Sequence, residues 1–273
     1  MPDLDSLPPL REVIAAHDLR AQKSLGQNFL LDLNMTDKIA RHAGDLSGAN
    51  VFEIGPGPGG LTRSLLKAGA EKVIAVEYDE RAVQALGGLQ EAAGDRLEII
   101  HGDALEIDLT QLSQSPRMIV ANLPYNIATP LLINWLRKIR NNPTNFQSMT
   151  LMFQKEVAQR LVAAPGNKTY GRLSVIAGWL CDVTMAFDLP ATAFTPPPKV
   201  TSSVVHFVPK ALAGDAPSFE AVEKITAAAF GQRRKMIRSS LKGYKAGFAA
   251  LGIDETIRAE ELSIEQYIQL AGS

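Results

Sequence analysis

A single cysteine, Cys181, stands in a chain of 273 residues. No disulfide can form within the chain, and a reducing compartment is its natural home. Its setting, the apolar run 175–183, marks it as a buried, inert thiol rather than a nucleophile. Histidine is scarce as well: His17, His42, His101 and His206 are scattered without ligand spacing, which argues against a metal centre. No apolar run approaches the ~18 residues of a membrane span. The first residues, Met1-Pro-Asp-Leu-Asp-Ser, offer neither a basic nor an apolar leader. No signal peptide and no membrane anchor are expected, and the cytoplasm is the expected location. With a net charge of −1 the chain is not a uniformly basic nucleic-acid protein, so any such surface must be local.

What is present fits a soluble globular protein with a full core: 46% hydrophobic and 21% charged residues. The pattern alternates. Strands are expected at 51–54, 72–76, 97–100, 117–121 and 148–153, with helices at 32–44, 60–68, 79–91, 130–140 and 154–163. Two more strand-like runs follow at 174–180 and 183–187, then one at 201–208. Strands alternating with helices mean βαβ units, hence an α/β fold with a parallel sheet covered on both faces. The late, closely spaced runs suggest an antiparallel pair appended at one edge. Around residues 209–217 the composition turns to small and turn-forming residues. A boundary there separates a larger α/β domain, 1–209 (with a lead-in at 1–32), from a helical segment, 210–273. In the latter, helices are expected at 219–230, 233–242, around Phe248, and at 264–270.

Chemistry gathers at the strand ends. Glu53-Ile-Gly55-Pro56-Gly57-Pro58-Gly59-Gly60 joins the first strand to its helix. Such glycines let backbone approach a ligand closely. Gly55, Gly57 and Gly60 also satisfy G-x-G-x-x-G, so a dinucleotide enzyme has to be weighed. Pro56 and Pro58, however, remove N–H donors that a pyrophosphate would want, and Glu53 suits a cationic ligand. S-adenosylmethionine is such a ligand, with a sulfonium, an ammonium and no phosphate. Glu77 closes the second strand, where a carboxylate accepts ribose hydroxyls of either cofactor. Asp103 follows the third, placed to accept from an adenine amino group, with Ala104 small enough for the ring to lie flat. No positioned hydride-transfer group supports the dehydrogenase alternative.

The fourth strand ends in Asn122-Leu123-Pro124-Tyr125. An adenine or cytosine amine is a poor nucleophile because its lone pair is delocalised into the ring. The Asn122 side-chain oxygen and the Leu123 carbonyl can accept its two N–H bonds and aim the lone pair. Pro124 has no competing N–H and biases Leu123 out of the α region. Tyr125 offers a face on which a flipped base can stack. Phe194, ahead of Pro196-Pro197-Pro198, is either the other face of that sandwich or a core plug under a stiff loop. Further on, residues 231–245 carry six positive charges and no negative one. Arg234, Arg238 and Lys242 recur every four residues, with Arg233, Lys235 and Lys245 beside them. One helix face striped for RNA phosphates is expected.

Taken in order, seven motifs give the chain a strong likeness to one family. They are Lys23-Ser-Leu-Gly-Gln-Asn-Phe-Leu30, Glu53-Ile-Gly-Pro-Gly57, Glu77, Gly102-Asp-Ala104, Asn122-Leu-Pro-Tyr-Asn-Ile127, Phe194-Thr-Pro-Pro-Pro-Lys-Val-Thr-Ser-Ser203 and Phe230-Gly-Gln-Arg-Arg-Lys-Met-Ile-Arg-Ser-Ser-Leu241. The chain resembles the ribosomal RNA adenine N6-dimethyltransferases, most of all their small-subunit branch, over nearly its whole length. The resemblance implies a Rossmann-like class I S-adenosylmethionine-dependent methyltransferase fold with a small all-α C-terminal domain. It implies transfer of two methyl groups to each of two adjacent adenosines in the 3′-terminal hairpin of 16S rRNA, within the maturing 30S subunit, by a monomer that needs no metal. It adds Gln27, Asn28 and Leu30 as cofactor contacts, which residue chemistry alone reads as a loop. It favours stacking for Phe194 and RNA contact for 210–273. Two alternatives stay open: the related 23S rRNA dimethylase, which Phe230–Leu241 argues against, and an assembly factor for which methylation is incidental.

Overall fold

Short β-branched and aliphatic runs, each stopped by glycine, proline or an acidic cap, form the framework of the computed structural model, which describes residues 4–22 and 26–273. Lys23, Ser24 and Leu25 of the first motif lie outside the described residues. The strands are β1 (Phe29–Leu30), β2 (Asn50–Ile54), β3 (Lys72–Glu77), β4 (Leu97–His101), β5 (Arg117–Ala121), β6 (Ser148–Gln154), β7 (Cys181–Leu189), β8 (Phe194–Thr195) and β9 (Ser202–Pro209). The helices are α1 (Leu10–Ala16), α2 (Leu33–His42), α3 (Gly60–Lys67), α4 (Glu80–Ala85), α5 (Gly87–Ala93), α6 (Ala128–Asn141), α7 (Lys155–Leu161), α8 (Arg172–Leu180), α9 (Phe219–Gly231), α10 (Ile237–Ser240), α11 (Lys245–Leu251) and α12 (Ile264–Ala271).

Seven strands make one sheet in the order β4-β3-β2-β5-β6-β9-β7, while β1 and β8 form a separate two-stranded ribbon. The first five strands are parallel; β9 runs antiparallel to β6, and β7 antiparallel to β9. Helices cover both faces, so β2, β3 and β5 are buried along nearly their whole length, which is why they read as continuous apolar runs rather than alternating ones. This is the expected α/β architecture with an appended antiparallel edge pair.

The helix expected over 79–91 forms as two, α4 and α5, parted at Leu86, and two further elements differ more. Residues 174–180, expected as a strand, are helix α8. Ser174, Val175, Ile176, Ala177, Trp179 and Leu180 are all buried; an element that is apolar all round shows no helical periodicity and mimics a buried strand. The edge pair is therefore made of β7 and β9, and β7 starts at Cys181 directly after α8. Cys181 is 1% exposed, and burial pushes its thiol up to about 12. The second difference lies at 233–242, where no continuous helix forms. α9 ends at Gly231, and the short α10 begins at Ile237. Of the intervening Gln-Arg-Arg-Lys-Met only Met236 is apolar, and it is 41% exposed, so nothing there holds a helix on the core. Ile237 and Leu241 are buried instead by a fresh start, with the Ile237 and Arg238 amides donating to the Ile257 and Glu255 carbonyls.

One hydrophobic cluster runs from the sheet (Ile119, Leu151) through α6 and α8 (Leu136, Trp179) into the helices beyond Pro209 (Phe219, Ile225, Tyr267). Trp179 stacks on Phe219 at 6.5 Å between ring centroids, Arg140 donates to the Pro217 carbonyl at 2.8 Å, and Arg137 bonds Glu223 at 2.8 Å. Caps mark the helix starts: Asp32 for α2, Asp79 for α4, Ser218 for α9 and Ser263 for α12 each accept a backbone N–H.

Candidate active site

From β2 the sheet order diverges, to β3 on one side and to β5 on the other. Ligands in open α/β sheets bind outside the strand carboxyl ends at such a switch point. A cavity occupies that place. Its walls are the loop 55–60 after β2, Glu77 and Tyr78 after β3, residues 102–105 after β4 and 122–127 after β5, with Gly26–Leu30 across the mouth.

Gly55 turns the chain at φ +68°, and its amide donates to the Val76 carbonyl at 2.9 Å. Gly57 holds φ +54°, and a Cβ there would lie 3.0 Å from the Phe29 ring. At Gly60 a Cβ would lie 2.9 Å from the Leu30 carbonyl oxygen. The glycines thus serve contact with the chain's own N-terminal segment as much as with a ligand. Gly60→Ala should push β1 off the loop. We expect a loss of ~1–3 kcal/mol in unfolding free energy, the usual cost of overpacking, together with faster proteolysis within 20–30. An unchanged denaturation midpoint would show that the contact is slack.

Glu77 is 5% exposed. One oxygen accepts from the Tyr78 and Asp79 amides, both at 2.8 Å, and the other from the Gly57 amide at 3.1 Å. Burial raises its pKa while these bonds oppose the shift. A carboxylate has about four lone-pair sites, so roughly one remains for a ligand hydroxyl in this geometry. Glu53 is 2% exposed and accepts from the Thr62 hydroxyl at 2.6 Å. Desolvation lifts it to about 8, against the lowering effect of Thr62 and with a smaller raising contribution from Glu77. Asp103 combines two duties: one oxygen closes a turn by accepting from the Leu105 amide at 2.9 Å, and the residue lines the cavity beside Ala104.

The N-terminal segment is tied to this site by polar contacts that the sequence did not announce. Asp79 caps α4, pairs with Arg81 at 2.7 Å and accepts from the Gln27 amide at 3.0 Å. Arg81 also donates to the Asp18 and Arg20 carbonyls. The Gln27 oxygen accepts from the Gln22 amide at 3.0 Å. Gln27 therefore lines the cavity with its amide engaged at both ends, as a strap. Asn28 contributes its backbone: its carbonyl accepts from Asn122 Nδ2 at 3.3 Å. With nitrogen committed there, Oδ1 is the branch of the amide left to accept, on a residue that lines the cavity. Leu30, 6% exposed, packs behind, in β1 paired with β8.

In the loop after β5, Ile127 N donates to the Pro124 carbonyl at 3.1 Å, and Pro124 packs within 3.5 Å of where a Gly55 Cβ would sit. Asn122, Leu123, Pro124 and Tyr125 all line the cavity. The Tyr125 hydroxyl bonds that of Ser202 on β9. Phe194 takes the core position of the two its sequence left open. It is 2% exposed, in the cluster with Leu30, Leu189 and Val204, and is not among the cavity's lining residues. Of the two rings, Tyr125 is thus the one that lines the cavity, and a stacking Phe194 would have to leave the core.

The five cations singled out for RNA do not share one helix face, because the helix is broken between them. Arg233 is half-buried, donating to the Lys168 carbonyl and lying 3.9 Å from Glu260. Arg234 and Lys235 are exposed on the turn, as is Arg238 on α10 and Lys242 just after it. Met236 between them is 41% exposed. They form an exposed basic knuckle. Among the described residues there is no cluster of three or more His, Cys, Asp or Glu able to hold a metal ion, and no helix long and apolar enough to cross a membrane.

The comparisons with known proteins agree with this geometry. A family model described as ribosomal RNA adenine dimethylase matches residues 18–273. A ribosomal RNA small subunit methyltransferase A of Xanthobacter autotrophicus is 56% identical over 100% of this chain and 96% of its own length. Its namesake in Paracoccus denitrificans is 57% identical over 99% and 97%. Among solved structures, a dimethyladenosine transferase from Plasmodium falciparum superposes with a TM-score of 0.72 at 27% identity, covering 88% of this chain and 94% of that one. The 23S rRNA methyltransferase ErmE shares the fold, with a TM-score of 0.68 at 24% identity, covering 89% and 98%.

Proposed function

Because the chain belongs to the ribosomal RNA adenine dimethylase family, we propose that it uses S-adenosylmethionine to dimethylate the N6 amines of two adjacent adenosines in the 3′-terminal hairpin of 16S rRNA. The substrate is the rRNA within the maturing small subunit, and the enzyme acts as a cytoplasmic monomer. The observation that carries the chemistry is the Asn122 amide at the cavity wall, its nitrogen held by the Asn28 carbonyl; its oxygen is the proposed acceptor. The small-subunit target rests on the names of the relatives.

The cavity fits this cofactor on its own terms. Three amides of the loop turn inward, Gly55 to Val76, Gly57 to Glu77 and Gly59 to Pro56, and Pro56 and Pro58 have none. The loop itself offers little to a pyrophosphate, which weighs against a dinucleotide reading. Two buried carboxyls, Glu53 and Glu77, suit a ligand with positive charge and hydroxyls. Glu77 would hold ribose, Asp103 and Ala104 the adenine, and Glu53 the cationic end. When bound, the cofactor supplies a methyl group made electrophilic by its sulfonium.

The chain's own residues supply orientation, which is worth ~7–11 kcal/mol of barrier when complete. Asn122 Oδ1 and the Leu123 carbonyl accept the two N–H bonds of the target amine, draw its nitrogen toward tetrahedral geometry and point its lone pair along the cavity. Tyr125 supports the base. No side-chain base is required, because the methylated nitrogen is acidic and gives up its proton readily. After the first transfer one N–H is gone, so one of the two acceptors loses its partner and the second transfer proceeds with a looser grip. Residues 1–209 carry this chemistry, with the strap at 18–30 as part of the site. Residues 210–273 present Arg233, Arg234, Lys235, Arg238 and Lys242 to RNA phosphates.

Glu53 gives a pH signature. Its carboxyl, near 8 in the free protein, is mostly protonated at neutral pH, and a cationic ligand favours the ionised form. Cofactor binding should therefore release a proton below pH 8, and affinity should rise as pH approaches 8. The sign for stability is opposite. A carboxyl raised on folding leaves stability untouched below its unfolded pKa, lowers it as pH climbs toward 8, and adds nothing further above. Glu53→Gln should abolish proton release and weaken cofactor binding ~10–100-fold, the worth of a charge-assisted contact. Calorimetry in buffers of different ionisation heat reads both; proton release surviving in Glu53→Gln would exclude Glu53 as its source.

The direct test of the proposed reaction is incubation with undermethylated 30S particles and labelled cofactor, followed by nuclease digestion. N6,N6-dimethyladenosine from 16S rRNA is expected. Label confined to 23S rRNA, or absent, would overturn the assignment.

A further inference from the structure

We propose that Ser202 is a positioning residue for methyl transfer, fixing the Tyr125 ring as the platform for the target base. The proposal rests on reading 122–125 as the place where that base is held. Tyr125 stands on a turn between β5 and α6, anchored at its backbone end by the Ile127-to-Pro124 bond. A ring held only there turns about two side-chain torsions, and a turning platform stacks poorly. The far end of the ring meets Ser202, hydroxyl to hydroxyl.

Ser202 is built as a fixed post. It is fully buried, at 0% exposure. Its strand, β9, is flanked on both sides, and Ser202 stands opposite Gln154 of β6 and Leu189 of β7. The residues beside it are committed elsewhere. The Thr201 carbonyl accepts from the Lys155 amide, and the Ser203 hydroxyl donates to Asp188 at 2.6 Å. Side chains alternate across a strand, so Ser202 and Ser203 face opposite sides and Ser202 takes the side of Tyr125. On that side Leu189, Phe194 and Val204 form an apolar cluster. A hydroxyl among them is costly unless bonded. Each hydroxyl thus depends on the other, and the ring has one favoured placement. Burial also raises the Tyr125 pKa, so the phenol keeps its proton at working pH. Phenylalanine would fill the same space without this register. Ser202 is not among the residues lining the cavity and acts through Tyr125 alone.

A double-mutant cycle tests this with the full-length protein: Ser202→Ala, Tyr125→Phe and the pair together. Single-turnover methylation of undermethylated 30S particles is read alongside S-adenosylmethionine affinity by calorimetry. Each single variant should slow transfer ~3–10-fold, the range of one hydrogen bond. The pair should be no slower than either alone, and cofactor affinity should stay within about twofold. Tyr125→Phe breaks the same bond from the partly exposed end, so the expected slowing can be read even where Ser202→Ala folds poorly. Multiplying effects, an unchanged rate in either single variant, or a parallel fall in cofactor affinity would overturn the proposal. A wild-type protein that forms no dimethyladenosine would overturn the functional reading itself, and this inference with it.

Discussion

Asn122→Ala should lower the rate of methyl transfer by two to three orders of magnitude while cofactor affinity falls less than tenfold. The expected size follows from the job. Removing one preorganised polar contact to a reacting group, as at an oxyanion hole, costs ~10²–10³ in rate, and in the proposed mechanism Asn122 Oδ1 is one of two acceptors for the amine. The more telling substitution is Asn122→Asp. In the wild type, Nδ2 donates to the Asn28 carbonyl at 3.3 Å. An aspartate puts an acceptor oxygen against that carbonyl, so the group must turn or push the strap away. Asn122→Asp should therefore be as inactive as Asn122→Ala, although it retains an oxygen able to accept from the amine. Single-turnover rates compare the two. A substantially active Asn122→Asp would mean that the Asn28 contact does not set the amide's orientation.

Reversing charge at Arg234 and Arg238 together should weaken binding of the 30S particle by ~10–100-fold near physiological salt and leave cofactor affinity unchanged. For every phosphate that is no longer neutralised, the slope of log affinity against log salt should also fall by ~0.7–0.9. Both side chains are exposed, and neither lines the cofactor cavity. The broken helix sharpens the expectation. Arg234 lies on the turn after α9 and Arg238 on the separate α10, so the two reach outward from different elements, and their effects should multiply rather than overlap. Filter binding of the particle over a salt series reads affinity and slope together. Equal losses for particle and cofactor would show that the substitutions act through the fold.

The parallel core of the sheet was legible because buried strands separated by glycine turns and amphipathic helices have few other readings. The strand-end residues Gly55, Glu77, Asp103 and Asn122 were legible for a related reason: βαβ topology places successive strand ends at one rim. The structure brings all four to one cavity. Residue 174 onward misled because α8 is buried all round and loses the periodicity that identifies a helix. The basic segment misled in the opposite way. Arg234, Arg238 and Lys242 have helical spacing, but Gln232–Lys235 have no apolar face to pack, and spacing by itself does not hold a helix.

The strap and the post were not legible at all. Gln27 meets Asp79 across 52 positions, Asn122 meets Asn28 across 94, and Tyr125 meets Ser202 across 77. No local pattern encodes such polar pairs. Strand alternation shows that Ser202 and Ser203 face opposite ways, but which of them reaches the site depends on β9 inserting between β6 and β7. Phe194 illustrates the same limit: a lone aromatic before a proline run does not reveal whether its ring faces the core or the cavity, and in this structure it is buried.

Crystals of the protein soaked with S-adenosylhomocysteine and an adenosine nucleotide test most directly whether residues 122–125 hold the target amine beside the cofactor. The nucleoside of the product should lie along Glu77 and Asp103, its sulfur facing residues 122–125. The N6 of the second adenine should lie ~3 Å from Asn122 Oδ1, within ordinary hydrogen-bond reach. Density for the product remote from that loop, or an adenine whose N6 points away from Asn122 and Leu123, would contradict it.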